Sequence, residues 1–488
     1  MLFNSIEFIF LFLPIIVIAF FLANARGYFL VGKAILLFGS LFFYSWWNPI
    51  YLPLITGSIL FNFFIGFNIS KRVLKSPPPA AKWLLWIGLT ANLSLLGVFK
   101  YTDFMIGNVN YLAGSEIRPL NIVLPLAISF FTFQQIAYLV DSYRGQCREY
   151  NLFDYGVFVT FFPQLIAGPI VHHQEMMPQF SQASLRKFNH TNFAAGVFVF
   201  SLGLFKKLII ADGFSSWANN GYSALAPLNF AEAWVTSLSY TFQLYFDFSG
   251  YSDMAIGLGL IFNIVLPMNF NSPYKAASIR AFWARWNMTL SRFLKDYLYI
   301  PLGGNRRGPW RTYVNMILTM VLGGLWHGAA WTFVFWGLLH GMAIAVNRAW
   351  SALGLRMRPW IGWVITFNFV NVAWVFFRAP DGASAISVLK GLVGLNGVVL
   401  PMSAEPILRA LNLGFVSYKN DYMESISADH KAVVSLLVAF IVVIFFKNSG
   451  EKLVAFKTTW LSLLGTAFLF FVSVLSISTA SEFLYFNF

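Results

Sequence analysis

The stretch NMILTMVLGGLWHGAAWTFVFWGLLHG, residues 315–341, decides the class of fold that this chain adopts. It contains no lysine, arginine, aspartate or glutamate, and its readily ionisable side chains are those of His327 and His340. An uncharged apolar run longer than about 18 residues is typical of a helix that crosses the hydrocarbon core of a membrane. We predict two membrane helices here, at 312–325 and 329–348.

Similar apolar runs recur along all 488 residues. The chain is 58% hydrophobic and 11% charged, whereas a soluble domain carries about 25% charged residues. The runs are continuous and lack the alternation of β-barrel strands. We therefore predict an all-α polytopic membrane protein, a single membrane-embedded domain over 1–488, with about 11 transmembrane helices plus re-entrant and interfacial helices. The other predicted spans are 6–24, 29–47, 50–69, 83–101, 119–140, 153–170, 192–211, 232–263, 359–378, 430–446 and 459–479.

The net charge of +14 suggests nucleic-acid binding only at first sight. The basic residues fall between apolar spans, which is the pattern of cytoplasmic loops in membrane proteins and predicts no nucleic-acid partner. Lys71, Arg72, Lys75 and Lys82 surround an SPPP turn and predict a cytoplasmic loop, whereas the mixed charges of 402–429 predict an external one. The lone Cys147 excludes an intrachain disulfide and thiolate clusters for zinc or iron–sulfur.

One segment, 275–311, is both strongly basic and rich in aromatic residues. Its apolar residues at 282, 286, 290, 293, 294, 297 and 298 recur at helical spacing. This spacing predicts an amphipathic helix that lies in the membrane interface or dips into the protein. A plain lipid-surface anchor is one interpretation. The other is a cationic floor for a phosphate-bearing donor that enters from the cytosol, because Arg and Lys pair well with phosphate. The cations of the segment are Lys275, Arg280, Arg285, Arg292, Lys295, Arg306, Arg307 and Arg311.

The imidazole of His327 is the strongest candidate for chemistry. An ionisable group at membrane depth is costly and is a functional candidate for that reason. Histidine can stay neutral when buried, and a neutral imidazole can take the proton of a hydroxyl that attacks an acyl carbon. Glycines 323, 324 and 328 would let a backbone or a ligand come close. On pattern alone, a packed histidine bonded to a carbonyl is an equally good interpretation.

The remaining ionisable residues favour structural roles. His340 is the other histidine in apolar sequence, and its spacing from His327 shows neither an HExxH pattern nor a carboxylate partner, so no metal site is expected. Asp247 and Asp253 also lie in an apolar segment. Structural pairing with arginines of 275–311 is favoured for them over lining a polar tunnel. Solvated, structural or interfacial roles are expected for His172, His173, His190 and His430.

Several blocks form an ordered series that resembles the membrane-bound O-acyltransferase family, most closely its alginate O-acetyltransferase branch. These blocks are FFPQLIAGPI (161–170), QLYFDFSGYSDMAIGLGL (243–260), NFNSPY (269–274), FWARWNMTLSRFLKDYLYIPLGGNRRG (282–308), the opening stretch and WVFFRA (374–379). The resemblance implies a motif-bearing core at 151–380 between N-terminal helices (1–150) and C-terminal helices (381–488). It also implies that the helices surround a central tunnel.

The resemblance also implies which residues act. His327 matches the family's catalytic histidine, and Asn287 matches a second position that is Asn or His in many members. The alginate-type branch usually has His there, so this chain departs from that branch at Asn287. Because an amide does not exchange a proton at neutral pH, Asn287 can orient a carbonyl or the imidazole but cannot be a second acid–base group.

The activity implied is acetyl transfer across a bacterial inner membrane. The expected donor is acetyl-CoA on the cytosolic side, with no permanently bound cofactor, and its phosphates would lie near Arg285, Arg292, Lys295, Arg306 and Arg307. An extracytoplasmic acetyltransferase partner would place the group on an exopolysaccharide such as alginate. Two alternatives remain open: D-alanyl transfer to a cell-wall polymer from a carrier protein, and a non-enzymatic transporter in which Asp247, Asp253 and His327 relay protons.

Overall fold

The structure, a computed structural model, describes residues 1–73, 79–147, 151–408, 414–477 and 483–484. It divides into two compact units. Among the described residues, the first consists of Met1–Phe205, Gly250–Asn269 and the chain from Lys452 onwards, and the second of Lys206–Ser249 and Phe270–Glu451. Lys75 and most of the SPPP turn, and the last two residues of the predicted span 459–479, lie outside the described residues.

Helices account for most of the described chain. The first ten are α1 (Leu13–Ala25), α2 (Phe29–Ser45), α3 (Leu52–Val73), α4 (Pro79–Leu96), α5 (Thr102–Ala113), α6 (Ile128–Tyr143), α7 (Leu152–Thr160), α8 (Phe162–Leu165), α9 (His173–Ser181) and α10 (His190–Phe205). The next six are α11 (Asp212–Tyr222), α12 (Phe230–Ile261), α13 (Ile279–Trp283), α14 (Met288–Leu294), α15 (Gly308–His327) and α16 (Trp331–Ala352). The last six are α17 (Pro359–Arg378), α18 (Gly382–Leu392), α19 (Glu405–Leu408), α20 (His430–Phe445), α21 (Ser449–Val454) and α22 (Trp460–Leu475).

Short π-helical and 3-10 turns extend or join these helices. The π-helical segments are Phe8–Phe12, Gly97–Tyr101, Lys206–Ala211 and Lys295–Tyr299. The 3-10 turns are Pro49–Tyr51, Ala183–Arg186, Pro273–Lys275, Met402–Ala404 and Glu424–Ile426. In the described chain the strands are β1 (Val398–Pro401) and β2 (Val416–Lys419), which pair in parallel with Val398 opposite Val416.

The helical membrane class is confirmed. Among the described residues, 5 continuous helical stretches are long and apolar enough to cross a membrane. They are Phe8–Ala25, Pro49–Val73, Pro79–Ala113, His190–Tyr222 and Pro359–Arg378. Shorter apolar helices lie at Phe29–Ser45, Gly382–Leu392, His430–Phe445 and Trp460–Leu475. The total of about 11 crossings stays a prediction.

Two expected spans are not single helices. Within 119–140 the helix begins only at Ile128, after Pro119 and Pro125 and an Ala127 in the left-handed region with φ 61°. Within 153–170, α7 ends at Thr160 and α8 follows after Phe161. Phe161 leaves helical backbone, with φ −46° and ψ 106°. Pro163 contributes to this second break, because a helix continued from α7 would need an amide donor at residue 163 and proline has none.

The amphipathic helix expected over 282–298 is also wrong as a single element. It is broken into α13, α14 and the π-helical Lys295–Tyr299, with Asn287 in the left-handed region between α13 and α14. Its apolar residues Phe282, Trp286 and Leu290 are almost fully buried. Of the two locations expected for this segment, the membrane interface or the protein interior, the structure shows the interior. The segment is therefore not a surface anchor.

Small and amide side chains hold helices of the first unit together. A Cβ atom on Gly203 would come within 2.5 Å of the Gly250 carbonyl oxygen, and Gly196 and Gly257 pack in the same way, so α10 and the end of α12 touch through their backbones. Asn62 on α3 and Asn92 on α4 are buried and exchange two side-chain hydrogen bonds of 3.2 and 2.6 Å. Paired amides of this kind satisfy polar groups that lipid cannot.

Helices α15 and α16 of the second unit form a tightly packed antiparallel hairpin. A Cβ on Gly337 would lie 2.9 Å from the Val321 Cα, one on Gly341 would lie 2.7 Å from the Ile317 Cα, and one on Gly324 would overlap the Phe333 carbonyl oxygen. No larger side chain fits these positions. Glycine therefore sets the distance between the two helices on which His327 and His340 lie.

The second unit also contains a buried ion pair. Lys207 Nζ lies 2.7 Å from Asp247 Oδ1 and 2.9 Å from Asp212 Oδ1, and Lys207 and Asp247 are 2% and 1% exposed. Structural pairing of Asp247 was expected, with an arginine of 275–311 as the partner. The structure shows a partner that was not expected, Lys207 of the π-helical Lys206–Ala211 that precedes α11. Asp253 is buried in the first unit.

Candidate active site

His327 is the last residue of α15 and is only 5% exposed. The chain leaves the helix there because Gly328 is extended, with φ −160°. The ring centroid of His327 lies 4.9 Å from that of Trp326, 5.2 Å from Phe377 and 5.3 Å from Trp336. The imidazole is thus enclosed by aromatic rings of the protein. An imidazole acts as a general base only in its neutral form, with a lone pair on one ring nitrogen.

Asn287 occupies the bend between α13 and α14. Its backbone is in the left-handed region, with φ 41° and ψ 55°, and its side chain is 3% exposed and makes no capping bond to α14. Asparagine adopts this region more readily than most other non-glycine residues. The bend explains why this position needs one of a few residue types, independently of any chemistry.

A continuous cluster of aromatic rings joins the two regions. Trp286, the residue before Asn287, has its ring centroid 5.0 Å from that of Trp374, and Trp374 stacks on Trp336 at 5.7 Å. Trp336 in turn contacts His327. Residues 287 and 327, far apart in sequence, therefore belong to elements that pack around one core. The cluster consists of Phe282, Trp283, Trp286, Trp336, His340, Trp374 and Phe377.

A cavity of about 560 Å³ lies beside this cluster, and we call it the basic cavity. Four cations line it, Arg280, Lys295, Arg306 and Arg348, and all four are exposed. Within the described part of the chain no carboxylate lines it. Its remaining lining includes the buried or nearly buried side chains of Trp283, Leu294, Thr319 and Met320. The cavity thus passes from a basic, exposed side to an apolar, buried side.

The buried side of the basic cavity is on the His327 face of α15. Met316 and Met320 line the cavity, and His327 follows Met320 by seven residues, which is close to two turns. The rise between them is about 10 Å. Gly323 lies between Met320 and His327 along α15. A Cβ atom on Gly323 would lie 3.0 Å from Cδ1 of Leu294, which also lines the cavity. A ligand along this face would have its polar end among cations and its other end directed towards the imidazole.

The five residues that were expected near the phosphates of the acyl donor divide into two groups. Lys295 and Arg306 line the basic cavity, whereas Arg285, Arg292 and Arg307 are absent from its lining in the described chain. Arg285 instead donates to the Asn271 carbonyl oxygen at 3.3 Å. Arg348, which lines the cavity, was missed, because it lies on α16 outside any quoted motif. Arg280 was within the basic segment, but no spacing distinguished it from its neighbours.

The other histidines take different environments. His340 on α16 has no exposed surface, and its Nδ1 accepts a hydrogen bond of 3.1 Å from Trp283 Nε1. His172 lies 4.0 Å from Asp141, and His173 is buried against Tyr138 and Phe158. His190 and His430 are exposed helix-starting residues.

Comparison with known proteins shows the family to which this chain belongs. Residues 83–379 match the membrane-bound O-acyltransferase family, MBOAT. The chain belongs to the membrane-bound O-acyltransferase family. The resemblance stated from the motifs is therefore confirmed, and the matched region includes the whole of α13–α16 and α17.

Individual MBOAT relatives extend the match to nearly the full length. The chain is 48% identical to a peptidoglycan O-acetyltransferase of Helicobacter pylori, with 100% of the chain and 98% of that protein covered. It is 43% identical to the probable alginate O-acetylase AlgI of Pseudomonas aeruginosa, with 78% and 72% covered. It is 27% identical to a teichoic acid D-alanyltransferase of Streptococcus thermophilus, with 52% and 68% covered.

These matches confirm an enzyme. The protein is a membrane-bound O-acyltransferase with several membrane helices. The alternative of a non-enzymatic transporter is therefore set aside.

Proposed function

We propose that this MBOAT enzyme transfers an acetyl group from acetyl-CoA, on the cytosolic side of a bacterial inner membrane, to hydroxyl groups of a cell-envelope polysaccharide. The observation that carries the proposal is the basic cavity. Its exposed cations suit the phosphates of a nucleotide-like donor, and its buried side lies on the helix face that ends at His327. Arg280, Lys295, Arg306 and Arg348 would bind the phosphates.

The chemistry requires one base and one oriented carbonyl. The imidazole of His327 takes the proton of the acceptor hydroxyl while the hydroxyl oxygen forms a bond to the thioester carbonyl carbon. The C–S bond then breaks, and the thiolate leaves with the proton that His327 returns to it. The products are an O-acetyl ester and free CoA thiol. The amide of Asn287 donates a hydrogen bond and does not titrate, so its proposed role is to orient the acyl carbonyl or the imidazole.

Peptidoglycan is the first acceptor to assay and alginate the second. The relative that aligns over the whole chain is named for peptidoglycan, and others that align over most of it are named for alginate. An extracytoplasmic acetyltransferase partner is proposed to complete delivery to the polymer. D-alanyl transfer has weaker support, because the relatives named for it are less similar and cover less of the chain.

The test of the proposal is acetyl transfer by the full chain in lipid nanodiscs, with labelled acetyl-CoA and purified polymers. We expect His327→Ala to lower the rate by at least about 100-fold, the lower end of what a positioned general base contributes, while the protein stays folded. His190→Ala removes an exposed histidine and is the matched control. Unchanged acetyl transfer by the His327→Ala variant would contradict the proposal, as would transfer that requires an acyl carrier protein.

A further inference from the structure

The second buried histidine, His340, is held in one protonation form by its neighbour. The indole N–H of Trp283 can only donate, so Nδ1 of His340 must carry a lone pair to accept this bond. In a neutral imidazole the proton is then on Nε2. No nitrogen or oxygen of the described residues accepts a hydrogen bond from that Nε2. His340 thus has no lone pair left with which to take a proton from a substrate.

His340 contacts one ring that lines the basic cavity and another that packs against His327. Trp283, its hydrogen-bond donor, lines the basic cavity. Trp336 has its ring centroid 4.7 Å from that of His340 and 5.3 Å from that of His327, so one indole separates the two imidazoles. Phe369, at 5.3 Å, closes another side of the His340 ring. Each of these aromatic positions is fixed partly by His340.

We propose that His340 is a positioning residue for acyl transfer. It holds Trp283 in the cavity wall by the hydrogen bond and holds Trp336 against the ring of His327, so donor and base stay aligned. This inference rests on the proposed function. It also assigns different roles to the two buried histidines of the opening stretch: His327 exchanges the proton, and His340 does not.

Conservative substitutions separate the hydrogen bond from simple packing. His340→Asn keeps an acceptor close to the place of Nδ1, whereas His340→Phe keeps a ring but loses the acceptor. Trp283→Phe keeps a ring and loses the donor. We expect His340→Phe and Trp283→Phe each to lower kcat about tenfold, because small displacements of reacting groups are costly. We expect His340→Asn to retain most of kcat.

The effects on kcat of replacing His340 and Trp283 should not be additive. Because both single variants break the same bond, the double variant His340→Phe with Trp283→Phe should be no slower than the slower single variant. A residue that only fills space would give additive losses and would tolerate Phe better than Asn. The measurement is kcat and KM for acetyl-CoA in nanodiscs, with thermal unfolding of each variant as the folding control.

The outcomes are distinct. Wild-type kcat in His340→Phe, or in Trp283→Phe should the first variant fail to fold, would overturn the inference. A folded His340→Asn variant as inactive as His327→Ala would also overturn it, because the retained hydrogen-bond acceptor would then not be enough for activity. An active His327→Ala variant, measured in the same series, would instead refute the proposed function.

Discussion

Asn287 shows how one residue can be constrained by backbone and by chemistry at once. Its φ of 41° lies in the region where Asn, Asp and His are several-fold enriched among non-glycine residues. A residue at the bend of α13 and α14 must therefore tolerate left-handed backbone before it contributes an amide or an imidazole. This gives a physical reason why a position that the family resemblance expects to be Asn or His can hold either residue.

This constraint leads to a prediction for variants of Asn287. We expect Asn287→His to keep most of the turnover, because His tolerates the backbone and can donate a hydrogen bond. Asn287→Ala and Asn287→Gly should both lower kcat, since both lose the amide. Only Asn287→Ala should also lose stability, by about 1–2 kcal/mol, because alanine is strained at positive φ. Steady-state kinetics and thermal unfolding check this, and a fully active Asn287→Gly variant would mean that the amide has no catalytic role.

At the scale of elements, an ion pair joins the π-helical segment Lys206–Ala211 to the middle of α12. Lys207 and Asp247 are almost fully buried and lie within 2.7 Å of each other. A buried pair contributes little net stability, but removing one partner leaves an uncompensated charge. The pair therefore makes the two segments dependent on each other.

We predict that Lys207→Met lowers the free energy of unfolding by about 3–5 kcal/mol. Asp247→Asn should cost less, because Lys207 keeps its contact with Asp212. The double variant should recover much of the loss seen in Lys207→Met. Denaturant titration in detergent micelles measures all three, and a Lys207→Met variant as stable as the wild type would contradict the prediction.

Helix bounds could be predicted from the sequence where a helix-starting residue and an apolar run coincide with the helix in the structure. The span 359–378 matches α17, since Pro359 starts the helix at its first residue and apolar residues continue to Arg378. The prediction failed where the apolar pattern continued across a break, as at Phe161 and at Asn287, because that pattern does not register backbone geometry. His327 could be found from the cost of burying it, whereas Arg348 could not, since only the packing of α16 against α15 brings it to the cavity.

At the scale of the whole molecule, the distribution of charge suits the phosphate-bearing donor proposed above. The chain carries a net charge of +14, and four exposed cations lie around one cavity. Electrostatic attraction of this kind raises the local concentration of an anionic ligand and weakens with salt. The cytosolic location of the cavity stays a prediction from the basic loops.

Neighbouring arginines allow a matched test of this attraction. Arg306 lines the basic cavity and Arg307 does not, although both are exposed. We expect Arg306→Gln to raise KM for acetyl-CoA several-fold, by about 1 kcal/mol of lost phosphate binding, with little change in kcat. Arg307→Gln should leave KM within about twofold. If Arg306→Gln and Arg307→Gln changed KM by the same factor, at low salt and again at high salt, the cavity would not bind the donor.

The reciprocal bonds between Asn62 and Asn92 have a consequence for how the protein is made. Each amide alone would enter lipid with unsatisfied groups, but consecutive helices α3 and α4 supply one another's partner. The two can match as soon as the ribosome has completed α4, before any later segment exists. We therefore expect α3 and α4 to leave the translocation channel as a pair whose rotational setting these bonds fix early in biogenesis.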